Sequence, residues 1–108
     1  MPSLKDVIVL VAGAGVGTLT KSGPSGRAII KRLAMPDSQA LEDAETVRRI
    51  AIDLSEELEM AIKWESGEVV IFADPPLLDA LRSKVSLGVR RRLLGIIGST
   101  AVSPFTGE

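Results

Sequence analysis

The chain reads as an α/β domain on a mixed sheet, with elements in the order β-β-β-α-β-α-β. Three features predict this: two uninterrupted apolar, largely β-branched runs, a long helical stripe between them, and a glycine-rich stretch that folds the chain back after the first run. Runs such as Val7-Ile8-Val9-Leu10-Val11-Ala12 and Val69-Val70-Ile71-Phe72-Ala73 have the composition of strands covered on both faces. A helix between two such strands implies a right-handed parallel crossover, whereas strands joined by short turns form an antiparallel meander.

The first strand is predicted over 7–12. Gly13, Gly15 and Gly17 loosen the backbone after it, and residues 16–21 alternate polar and apolar as a second strand. Ser22-Gly23-Pro24-Ser25-Gly26 is turn chemistry, and 27–34, with Ala28-Ile29-Ile30 and Leu33, reads as a third strand. Pro36-Asp37-Ser38 reads as a helix start, with Asp37 or Ser38 as the capping acceptor. Beyond it Leu41, Ala44, Val47, Ala51, Leu54, Leu58 and Ala61 recur every three or four residues, the stripe of an amphipathic helix over about 38–65. Gly67 is expected to end it. The fourth strand, 69–73, stops at Asp74-Pro75-Pro76, because proline cannot donate to a ladder. Leu77, Leu78, Leu81 and Val85 predict a short helix, Ser86 a new cap, and 87–94 a further helical turn or two closed by Gly95. Ile96-Ile97 offers a last strand, and the tail from about 99 is expected to fray.

At 108 residues this is one domain, residues 1–108. The absence of cysteine and histidine removes disulfides, thiolate or imidazole metal sites, and Ser-His-Asp or Cys-His catalysis. The net charge of -1 is segregated: +4 over 1–36, -7 over 37–68 and +2 over 69–108. A near-neutral total argues against a general electrostatic grip on nucleic acid but leaves room for a local basic face. No apolar run approaches the roughly 20 residues needed to span a bilayer, and the expected location is the cytoplasm.

Gly13-Ala14-Gly15-Val16-Gly17 follows a strand but lacks the third glycine and the helix of a dinucleotide loop, and no Gly-Lys pair makes a phosphate loop. A tight turn or a bulge is the expectation, with no cofactor. Asp74, closing a buried strand, is the candidate centre of a divalent-metal phosphoesterase or nuclease, yet 7–12 supplies no carboxylate partner and Asp6 lies at the strand's other end. Its simpler role is a cap or turn acceptor. Trp64 is expected to be a core lid or an interface residue. Arg82, Lys84, Arg90, Arg91 and Arg92 form the densest basic cluster. They suit phosphate, an acidic protein, or the acidic long helix within the subunit or across a homodimer.

Val69-Val70-Ile71-Phe72-Ala73-Asp74-Pro75-Pro76-Leu77-Leu78-Asp79-Ala80-Leu81-Arg82-Ser83-Lys84-Val85-Ser86 resembles the signature of the bacterial host-attachment protein family. There an apolar strand ending in Ala-Pro-Pro leads into a Leu-x-x-Leu-Arg helix, then an apolar residue and Ser. Ala73, Pro75, Leu78, Leu81, Arg82, Val85 and Ser86 stand at matching positions, and Val9-Leu10-Val11-Ala12 matches the family's first strand. Gly13, Val16 and Thr18 replace that family's Asp and arginines, so of its charged positions only Arg82 carries over. The resemblance implies a fold like the middle domain of archaeal and eukaryotic translation release factors, related to ribonuclease H-like architecture. It also implies a non-enzymatic, ribosome- or RNA-associated role. The expectation is therefore a small binding protein contacting its partner through Arg82, Lys84, Arg90, Arg91 and Arg92. A dimerisation module and an Asp74-centred phosphoesterase are the alternatives.

Overall fold

The computed structural model describes residues 6–24, 26–65 and 67–98. β1 (Val7–Gly13), β2 (Val16–Gly23) and β3 (Gly26–Arg32) form the antiparallel meander, and β4 (Glu68–Ala73) and β5 (Leu93–Gly98) run parallel to β1. The strand order is β3-β2-β1-β4-β5, a mixed ribonuclease H-like sheet with β3 and β5 at its edges. α1 (Ala44–Trp64) connects β3 to β4, and α2 (Pro75–Lys84) and α3 (Leu87–Arg92) connect β4 to β5.

The core lies between the sheet and the helices. Ile8, Leu10, Ala12, Val69, Ile71 and Ala73 are fully buried and meet Ala51, Leu54 and Leu58 of α1, Leu77 and Leu81 of α2, and Val89 of α3. α1 packs against both α2 and α3, so the helices share one side of the sheet. Val7, Val9, Val11, Val70 and Phe72, at the alternate positions, are only half-buried. The expectation of strands covered on both faces is thus corrected. A continuous apolar run records what a strand can tolerate on each face, while the cover comes from distant chain.

Several boundaries also move. A 3-10 turn at Ala40–Glu42, opened by Asp37 accepting from the Ala40 N–H at 3.0 Å, precedes α1. The N-cap of α1 is Asp43, not Asp37 or Ser38. Its carboxylate accepts from the Thr46 hydroxyl at 2.7 Å and the Thr46 N–H at 2.9 Å, which satisfies an orphan donor of the first turn. Those two bonds, the hydroxyl's first, hold the Asp43 carboxyl below the ordinary aspartate range. Ser86 caps α3 as expected, accepting from the Val89 N–H at 3.3 Å. α3 stops at Arg92, however, and Leu93 to Gly95 belong to β5, so Gly95 does not close a helix. Trp64 is 79% exposed and no core lid. The tail from 99 lies outside the described residues.

Candidate functional site

Arg82, Lys84, Arg90, Arg91 and Arg92 fall in the last turns of α2 and α3, where cations favour the exposed carbonyl ends of helices. The structure divides them. Arg90 turns back on α2, donating from Nε to the Val85 carbonyl at 3.3 Å and from a terminal nitrogen to the Arg82 carbonyl. Half-buried Arg92 donates to the Glu65 carbonyl at 3.0 Å and ties α3 to the end of α1. Arg82, Lys84 and Arg91 are exposed, and among the described residues they form no ion pair. Lys84 also lines an open groove of about 760 Å³ between α1 and α2, together with Leu41, Val47, Pro76 and Ala80.

The acidic helix finds its partners elsewhere. Glu57 meets Lys31 of β3 at 2.7 Å, and Glu45 meets Arg48 within α1 at 2.9 Å. Glu65, just past the helix, shares Lys21 of β2 with Asp6, at 2.9 and 3.3 Å. The hydrogen bond to Glu65 and then that to Asp6 raise the Lys21 ammonium above its ordinary value. Intrachain pairing of the basic cluster with the acidic helix is therefore not what the described residues show.

Asp74 sits between the C-terminal end of β4 and the β1–β2 turn. Its carboxylate accepts from the Ala14 N–H at 3.1 Å and gives α2 no side-chain cap. It is the turn acceptor of the two simple roles expected. Gly13 makes this approach possible, since a β-carbon there would stand 3.2 Å from both carboxylate oxygens. Gly15, at φ +70°, takes the corner of the turn that only glycine adopts readily. The Gly15 N–H donates to the Pro36 carbonyl at 2.8 Å, and the Gly17 carbonyl accepts from Leu33 at 2.8 Å. The glycines thus let two chain segments close in on a turn.

This geometry limits the chemistry at Asp74. Because β1 and β4 are parallel, Asp6 before β1 and Asp74 after β4 occupy opposite ends of the sheet, about 20 Å apart at the usual strand rise. Among the described residues no three carboxylates gather into a metal-holding group. The start of α2 is also poor at holding phosphate. Pro75 and Pro76 have no N–H, and the Leu78 N–H already donates to the Asp74 carbonyl at 2.8 Å, leaving only Leu77 in the first turn. Among the described residues no helix is long and apolar enough to cross a membrane.

What sequence reasoning missed is the half-open apolar face of the sheet opposite the helices. The signal was available in the strand runs themselves, which carry more apolar surface than one helical layer covers.

No family model and no curated protein matches the chain. Among solved structures it is similar to the PPX-GPPA enzyme of Aquifex aeolicus, with a TM-score of 0.54, 14% identity, and coverage of 89% of this chain and 36% of the enzyme. A nucleoside triphosphate hydrolase structure from Neospora caninum gives a TM-score of 0.43 at 13% identity, covering 89% of this chain and 29% of the other. The likeness to the first is one of fold, and the chain spans about a third of that enzyme's length.

Proposed function

We propose that the chain is a non-catalytic binding protein that takes an acidic partner, with RNA phosphate as the favoured chemistry. Three exposed cations on one braced unit carry this reading. Arg90 clamps α2 to α3, and Arg92 fastens α3 to the end of α1, so Arg82, Lys84 and Arg91 are presented in a fixed relation. None of the three is neutralised by a carboxylate among the described residues. The occupied carboxylate of Asp74 and the proline-blocked start of α2 favour binding over phosphoryl chemistry. The resemblance to the host-attachment family and the ribosome as the RNA's setting belong to the same proposal.

The test is binding of a fluorescent single-stranded RNA across a salt series. Each phosphate contact on a single strand contributes about -0.7 to the slope of log K against log salt, so Arg82→Gln/Lys84→Gln/Arg91→Gln should flatten that slope by about 2. No binding at low salt, or an unchanged slope in the triple variant, would overturn the surface. A second reading is favoured by the exposed carboxylates of Asp53, Glu56 and Glu59, which also lack ion pairs among the described residues. They could receive the basic helices of a neighbouring copy, and such a dimer would dissolve at high salt in sedimentation.

A further inference from the structure

The sheet face opposite the helices is built of three rows that run across β3, β2, β1 and β4. Register aligns Arg27, Ser22, Val7 and Glu68 in the first row, and Ile29, Thr20, Val9 and Val70 in the second. Arg32, Thr18, Val11 and Phe72 form the third, which Ile97 of β5 extends. Their neighbours along β1 and β4 point into the core. Ile29 is 50% exposed and Ile97 39%, and the described helices all lie on the other side of the sheet, over Ile8, Leu10, Val69 and Ile71. Parallel strands with one bare apolar face are unusual, because such sheets are ordinarily covered on both sides.

We infer that this face joins two copies of the chain, packed sheet on sheet about a two-fold axis parallel to the strands and between β1 and β2. The rows themselves argue for the second copy. That axis sets β3 of each copy over β4 of the other, and β2 over β1. Arg27 then faces Glu68 of the other copy, and the symmetry repeats the pair. Ile29 faces Val70, Thr20 faces Val9, and the Arg32 guanidinium lies over the Phe72 ring, an arrangement favourable to a cation. A face whose cation and anion occupy exchanged strand positions is self-complementary, as an isologous contact requires.

Area sets the strength. Four strands about 4.8 Å apart and about 23 Å long give a footprint of about 450 Å² per copy. The total of about 900 Å² is close to the lower bound of about 1,000 Å² for a specific interface, so the dimer is weak and concentration-dependent. The charged row selects the register and contributes little to affinity.

The experiment is sedimentation equilibrium on the full chain over a concentration series, with melting curves of each variant to confirm folding. The unmodified chain should dimerise reversibly. Arg27→Glu alone and Glu68→Arg alone each place like charges together and should weaken the dimer by about tenfold or more. The double variant should recover it, and so should an equal mixture of the two single variants, because each supplies the charge the other lacks. Thr20→Glu, in the central row, should also dissociate it. A chain that stays monomeric throughout overturns the inference, including one that stays monomeric yet binds an added amphipathic helical peptide. So does a dimer indifferent to these changes, or one dissolved only by neutralising Glu56 and Glu59. The RNA salt slope reads the basic surface separately, so either proposal can fail alone.

Discussion

Replacing Leu10 and Val9, adjacent in β1, with alanine one at a time should have very different costs. Leu10 is fully buried beneath the helices, whereas Val9 projects from the half-open face. Leu10→Ala removes about three methylene equivalents at about 0.8 kcal/mol each, or about 2.4 kcal/mol of transfer free energy. The cavity left in a close-packed core brings the total to about 3–5 kcal/mol. Val9→Ala removes two equivalents from a site that keeps part of its contact with water, so its cost is about 1 kcal/mol or less. At about 4–8 °C per kcal/mol, Leu10→Ala should lower Tm by at least about 12 °C, and Val9→Ala by less than about 8 °C. The assay is urea unfolding at about micromolar protein, where a weak dimer is dissociated, with the midpoint compared at constant m. Equal losses for the two variants, or a larger one at Val9, would refute the one-sided layering of helices on the sheet.

Two other outcomes follow from the contacts. Gly13→Ala pushes a methyl against the Asp74 carboxylate and should cost about 1 kcal/mol through the bond to Ala14. In an Asp74→Ala background the same change should turn neutral or slightly stabilising, because only the lost freedom of glycine in the unfolded chain remains, and a double-mutant cycle in urea reads the reversal. Lys21, whose pKa is raised by Glu65 and Asp6, contributes stability that is complete below its ordinary value of 10.5 and fades as pH rises through the raised value. Thermal melts of the unmodified chain and Lys21→Gln should stay separated at pH 8 and converge only in strong alkali; a gap unchanged at alkaline pH would dismiss the network.

Much of the architecture is legible in the sequence because its signals are long. The stripe from Leu41 to Ala61 repeats its period several times, and the runs at Val7 and Val69 are short, rich in β-branched residues and bounded by glycine or proline, which fixes element type and hence the parallel crossover. Short signals serve less well. Asp37 and Asp43 are both plausible caps, and only the three-residue spacing from Asp43 to Thr46 gives its carboxylate both a hydroxyl and an N–H. Arg92 and Leu93 are consecutive, and the nearest following glycine, Gly95, lies inside β5, so the passage from α3 to β5 has no local marker. The basic cluster is legible as composition but not as a surface. Whether an arginine meets solvent or a carbonyl depends on chain far away, as Arg92 and Glu65 show.

The two borders of the sheet are unlike, and this bears on how the chain behaves when crowded. β3 presents Arg27, Lys31 and Arg32, charges that discourage a foreign strand from adding alongside. β5 is Leu-Leu-Gly-Ile-Ile-Gly, with no charge to repel a newcomer and Leu94 exposed to solvent. Concentrated or partly unfolded material would therefore adhere through that hydrophobic rim, and a lysine at Leu94 is the simplest guard against fibrous growth there.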